Sequence, residues 1–137
     1  MTLSSGDKRE LSDIRMGKAY EFLDDAKANL DDSRLKTAVN RSYYASLSAV
    51  RAILILEAID PESHAGAVAT LSLHFVRTKL LPIKVVRSFK MLQSRRSDVD
   101  YGDFETVEKS DAEDSLKLAE EILEEIDAVR KKLTAEM

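Results

Sequence analysis

The chain has 137 residues, of which 44% are hydrophobic, 34% charged and 6% aromatic, with no Trp and no Cys. That is one domain's worth of chain, large enough for a single core, and it excludes a disulfide framework, thiolate chemistry and cysteine metal sites. A net charge of −4 excludes a bulk nucleic-acid binder, although from Ser63 to Ser97 there is no Asp or Glu while Arg77, Lys79, Lys84, Arg87, Lys90, Arg95 and Arg96 all fall there.

Four glycines and two prolines leave few breakpoints, so the chain reads as all-α: an up-and-down bundle of four main helices plus a shorter one. It is a single domain over 1–137, with a core over about residues 8–134. Leu11, Ala19, Phe22, Ala26 and Leu30 share a face and predict a first helix over about residues 8–30. "LDDS" makes a turn, with Asp32 or Ser33 as the N-cap of a second helix that runs to about Ala58. Pro61 ends that helix and can open the next turn. A third helix places His64, Val68, Leu71 and Phe75 on one face. "LLP" interrupts it, and Pro82 suits the first turn of a fourth helix bearing Val85, Phe89 and Leu92. This helix is expected to stop near Tyr101, with Gly102 in the left-handed position. "GDFETVEK" is the longest loop, and Ser110 with Glu113 reads as a capping box. The last helix buries Leu116, Ala119, Ile122, Leu123, Ile126, Val129 and Leu133. The longest apolar run, near Ala52 to Leu56, is too short to span a bilayer, and the N-terminus lacks a signal-peptide core, so the cytoplasm is the default location.

The second helix poses the functional question. It is apolar almost all round, yet Asn40, Arg51, Tyr44 and Ser48 fall within an arc of roughly 80°, with Arg41 on its edge. An Arg taken out of water needs an acidic or phosphate partner. The fourth helix supplies candidates: Arg96 lies in register with Phe89 and Leu92 while Arg95 points elsewhere, and Asp98, Asp100 and Asp103 are close in sequence. Two readings follow. One is an internal Arg–Asp network that fixes helix register. The other is a site assembled from Asn40, Tyr44, Arg51, Arg96, Asp100 and Tyr101, with Arg41 contributing charge. Two histidines make a poor metal site, so no metal or other cofactor is expected.

"NRSYYASLSAVRAIL", then "SHAG", "LHFVRTKLLP" and "RRSDVDYGDF" before an acidic amphipathic helix together resemble the HEPN domain. The resemblance is to its uncharacterised prokaryotic branch, which reads Asn-Arg-x-Tyr-Tyr-Ala, His-x-Gly and Arg-x-x-x-Asp-Tyr, and it covers about residues 10–133. It implies a helical homodimer, commonly encoded beside a small nucleotidyltransferase in toxin–antitoxin-like pairs. Many members are metal-independent ribonucleases whose signature is an Arg, four to six residues and a His. Here Arg96 matches the Arg and Tyr101 stands at the first allowed His position. A Tyr of ordinary pKa, about 10, is a poor base near neutrality, so ribonuclease activity is not carried over. The expectation is a binding module that takes a nucleotide, RNA phosphate or a nucleotidyltransferase partner in a polar groove at a homodimer interface. Arg96, Arg51 and Arg41 would meet phosphate there, Asn40, Tyr44 and Tyr101 base or ribose, and Asp100 would orient Arg96. The rival is a ribonuclease using Arg96, Tyr101 and His64, which requires the third helix to bring His64 beside Arg96. A further alternative is a non-catalytic dimerisation scaffold.

Overall fold

A computed structural model describes residues 2–102 and 106–137. Among these residues five α-helices follow one another: α1 (Ser5–Asp31), α2 (Leu35–Leu54), α3 (His64–Leu71), α4 (Ile83–Tyr101) and α5 (Lys109–Ala135). No strand occurs among the described residues, and none of their helices is long and apolar enough to cross a membrane. The chain is thus all-α as its periodicity predicts, with four long helices and the short α3.

The central element is α2, packed against α1, α4 and α5. Its composition suits that position. Ala38, Ala45, Ala49 and Ala52 are small enough to let neighbouring helices approach, and Val50, Ile53 and Leu54 fill the space between them, all fully buried. The core closes around Phe75, Phe89, Leu71, Leu92, Ile122, Leu123 and Ile126. In α5 the predicted face is the buried one: Ala119, Ile122, Leu123 and Ile126 are inside, with Leu116, Val129 and Leu133 packed at its margin.

The α1 face is rotated from the sequence expectation. Ser12, Met16 and Leu23 are buried with Ala19 and Ala26, whereas Leu11, Phe22 and Leu30 are only half-buried. Ser12 is tolerated there because its hydroxyl donates to the Ala52 carbonyl at 2.7 Å.

Several boundaries differ, each for a local backbone reason. Neither Asp32 nor Ser33 caps α2. Ser33 takes a left-handed conformation (φ 60°) that closes α1, with its N–H donating to Leu30 O and that of Arg34 to Asn29 O. Arg34 is left as an N-cap without a side-chain bond. At the other end α2 stops at Leu54 and tightens into a 3₁₀ turn over Ile55–Glu57, where Ala58 turns left-handed. Pro61 precedes α3 without entering it. Ser63 is the cap, its Oγ accepting from Gly66 N–H at 3.0 Å.

The third helix is α-helical only to Leu71 and widens into a π-helix over Ser72–Val76. Pro82 is the N-cap of α4, and Gly102 ends that helix in an extended conformation (φ −80°, ψ 128°) rather than a left-handed one. The α5 capping box is Glu108 with Asp111, whose carboxylate accepts from Glu108 N–H at 3.3 Å; Ser110 already lies in the first turn. Part of the predicted "GDFETVEK" loop, including Asp103, lies outside the described residues.

Candidate functional site

The polar row of α2 meets the C-terminal half of α4. Arg96 is the hub: its Nη2 donates to the Tyr44 hydroxyl at 2.7 Å, and its Nε lies 2.9 Å from Asp100 Oδ2. The two charged side chains are only 18% and 25% exposed, so this pair is screened far less than a surface pair. That contact is an ion pair without hydrogen-bond geometry; Asp100 accepts from Asn40 Nδ2, at 3.1 Å to each oxygen, and Arg41 Nη1 donates to Asn40 Oδ1 at 2.9 Å. Five residues thus form one connected network. Two arginines against one aspartate leave it with a net charge of +1.

Aromatic rings hold Arg96 in place. Its guanidinium carbon lies 5.6, 5.4 and 5.5 Å from the ring centroids of Tyr43, Tyr44 and Tyr101. Tyr43 is buried and stacks parallel to Phe89 at 5.8 Å, which fixes the platform to the core. Tyr101 is the opposite case, 73% exposed at the end of α4. Arg41 sits 5.9 Å from the Phe22 ring, which extends the aromatic support to α1. Burial alone would lower the pKa of Arg96, but Tyr44, Tyr101 and Asp100 outweigh it and raise it, so the cation persists at any working pH. Beside the network a groove of about 300 Å³ is lined by Lys36, Thr37, Asn40, Arg41 and Asp100. The Arg96 Nη1 edge makes no hydrogen bond to a described residue and can donate to a phosphate oxygen.

Asn40, Arg41, Tyr44, Arg96, Asp100 and Tyr101 are therefore brought together, as the sequence suggests. Arg51 is not among them. It lies two turns further along α2, where Asp60 binds Arg15 through both oxygens (3.2 and 3.1 Å) and Arg51 at 3.4 Å. Burial would raise the pKa of Asp60, but the bonds from Arg15 and Arg51 prevail and hold it below the usual carboxylate range. The Arg15–Asp60 pair ties α1 to the α2–α3 connection and has no sequence signature, since its partners are 45 residues apart. Arg51 still shares a groove of about 400 Å³ with Tyr44, Leu47 and Ser48. Of the other acids weighed for Arg96, Asp98 is exposed and lines a separate cleft. Arg95 turns to α5, where it meets Asp114 at 2.8 Å and Ser115 at 3.1 Å.

His64 reaches the edge of this site through Tyr43. The Tyr43 hydroxyl is 3.2 Å from His64 Nδ1, and the imidazole packs 4.6 Å from the Phe89 ring. Desolvation and nearby Lys90 hold the His64 pKa below its ordinary value, so the ring is neutral near pH 7. Burial pushes the Tyr43 phenol up to about 12, against the pull of Arg96. Tyr43, rather than Tyr44, thus joins His64 to the ring cage, a role that neighbouring tyrosines on one helix do not reveal. Among the described residues no group of three or more His, Asp or Glu side chains is placed to hold a metal ion.

The class of protein is given by comparison of the chain with known families. The HEPN domain family model matches residues 13–130. A UPF0332 protein of Thermotoga maritima is 31% identical over 121 residues, covering 88% of this chain and 92% of that protein. A protein of Methanocaldococcus jannaschii bearing the name "Putative toxin" is 30% identical over 107 residues, 77% of this chain and 71% of its own length. A second "Putative toxin" of the same organism is 27% identical over 131 residues, with 96% and 95% covered. The chain belongs to the HEPN domain family.

Proposed function

We propose that this chain is the HEPN-type binding module of a toxin–antitoxin-like pair, a cytoplasmic homodimer whose polar groove takes a nucleotide or RNA phosphate and meets a nucleotidyltransferase partner. Relatives named as toxins and the net positive network around Arg96 support this reading. The observation that carries it is the preorganised guanidinium. Arg96 is held on one edge by Tyr44 and Asp100 and caged by three rings, so its other edge meets an anion without first being ordered. Arg41 adds a second cation, Asn40 and Tyr44 add hydrogen-bonding groups, and exposed Tyr101 offers a face on which a base can stack. Arg51 stands further along the same side as a cation for a longer ligand. Tyr101 and the α2 row also give the proposed dimer interface its polar and aromatic character.

The test is binding of 5′-AMP and of a short single-stranded RNA, followed by fluorescence at several salt concentrations. The expected result is weak, salt-sensitive binding that falls at least tenfold in Arg96→Gln, with no cleavage of the RNA. Sedimentation should give about twice the 15.4 kDa chain mass. No binding, or binding indifferent to Arg96→Gln, removes the reading.

One observation favours the ribonuclease reading instead: Tyr43 touches both His64 and Arg96, so a neutral imidazole stands at the margin of the cation site. Cleavage of the RNA without added metal, lost in both Arg96→Gln and His64→Ala, would establish that reading, with His64 as base in place of the family's usual His.

A further inference from the structure

The acid-free segment between residues 63 and 97 acquires a shape in the structure. Of its seven basic residues, Arg95, Arg96 and Lys84 have carboxylate partners in Asp114, Asp100 and Glu125. Arg77, Lys79, Arg87 and Lys90 are exposed and have no carboxylate within 4 Å among the described residues. Four large aliphatic side chains are exposed on the same α3–α4 segment: Leu73 (50%), Leu80 (44%), Ile83 (54%) and Met91 (48%). On α4, Ile83, Arg87, Lys90 and Met91 fall within an arc of roughly 100°, on the side away from Arg96. The result is a mixed cationic and aliphatic surface whose four cations no carboxylate of the described residues neutralises.

The π-helix over Ser72–Val76 carries Leu73 and is closed by Lys79, whose left-handed conformation (φ 64°) lets its N–H donate to Val76 O and that of Leu80 to Phe75 O.

We propose that this α3–α4 face is a docking surface for an acidic amphipathic segment of another protein, separate from the Arg96 groove. Charge complementarity selects the acidic partner, since four unpaired cations repel one another until a polyanion covers them. The aliphatic residues select protein over single-stranded RNA, whose bases are held by aromatic stacking, and every exposed apolar group here is aliphatic. A lipid surface is a poorer match, because the face lacks the Trp and Phe that anchor interfacial helices. The occupant is thus a segment with Asp or Glu on one side and Leu or Ile on the other, in the helix-on-groove manner.

The test uses the full chain and four probes in fluorescence anisotropy. These are an 18-residue helical peptide with Leu on one face and Glu elsewhere, the same composition scrambled, a single-stranded RNA of equal charge, and phosphatidylserine vesicles. The amphipathic peptide should bind, at least tenfold better than its scrambled form. Its affinity should drop at least tenfold in the Arg87→Glu/Lys90→Glu double variant and in Ile83→Ser/Met91→Ser. Arg96→Gln should leave it unchanged, which keeps this result separate from the fate of the nucleotide reading. All four replaced side chains are exposed, and equal melting temperatures would verify that each variant folds. Equal binding of both peptides, stronger binding of RNA or vesicles through Arg87 and Lys90, or a change in sedimenting mass in the double variant would each overturn the proposal.

Discussion

Replacing Arg96 by Ala should destabilise the fold by about 2–3 kcal/mol. The variant loses a charged hydrogen bond to Tyr44, of a kind worth about 1.5–3 kcal/mol, and the favourable placement of the cation among three rings. It also strands Asp100. Breaking a fully buried pair costs about 3–5 kcal/mol, but here the two side chains are 18% and 25% exposed and Asp100 keeps its bonds from Asn40. Those features bring the loss below that range. Arg95 is the internal control: its partner Asp114 is 48% exposed, so Arg95→Ala should cost about 1 kcal/mol. Urea unfolding followed by circular dichroism measures both. A double-mutant cycle of Arg96→Ala with Asp100→Asn should show coupling of about 1 kcal/mol or more, because the two side chains touch. If Arg96→Ala loses no more than Arg95→Ala, or the cycle is additive, Arg96 is not the hub of this network.

The depressed His64 pKa makes stability pH-dependent with a definite sign: the unfolded chain takes up its proton first, near pH 6.5, so the contribution is complete above that pH and is lost as pH falls through the lower folded value. Urea midpoints at pH 7.5 and 5.5 should therefore differ less in His64→Gln than in the parent protein, and an unchanged difference would assign the effect elsewhere. Tyr20, desolvated and bonded to Asp127, and the buried Tyr43 both have pKa values raised to about 12. An ultraviolet titration should accordingly show a late-ionising contribution from Tyr20 and Tyr43, reduced by that of one tyrosine in Tyr43→Phe. Gly66→Ala places a Cβ 3.0 Å from Ser63 Oγ and 3.3 Å from Pro61 Cβ, disturbing the α3 cap. A loss of about 1–2 kcal/mol is expected, and no loss would mean the cap shifts freely.

The fold was legible where burial follows a simple period. The apolar face of α5 and the near-continuous apolar surface of α2 announce one margin helix and one central helix, and both take those places. The ends of helices were harder, because they are settled by backbone geometry that several residue types can adopt. Ser33 could have been a cap by composition, but the chain reversal after α1 needs a left-handed residue at that position, and Ser33 fills it. Likewise Ser110 and Glu113 have the spacing of a capping box, while Glu108 and Asp111 have it two residues earlier and form it. For the site, angular position on α2 grouped Asn40, Tyr44 and Arg51 but carried no axial information. Asp60 takes Arg51 away because the turn after α2 folds back along it, a contact invisible to helical periodicity. Tyr43 was left out of the candidate site for a related reason. It lies on the apolar side of the helix, and only the arrival of His64 and Phe89 from other elements makes its hydroxyl significant.

The central position of α2 has a thermodynamic consequence for whatever the groove receives. Its burial between α1, α4 and α5 should make its amides the slowest to exchange, through opening of the whole bundle rather than a local fluctuation. The row Asn40, Arg41 and Tyr44 is attached to that backbone, so a ligand has little main chain to immobilise on arrival. Calorimetry of binding should then show the modest heat-capacity change of a preformed site rather than the large one of coupled folding. For the same reason, substitutions that loosen α2 from behind, such as Ala49→Gly on its fully buried side, should weaken binding without touching a single residue that faces the groove.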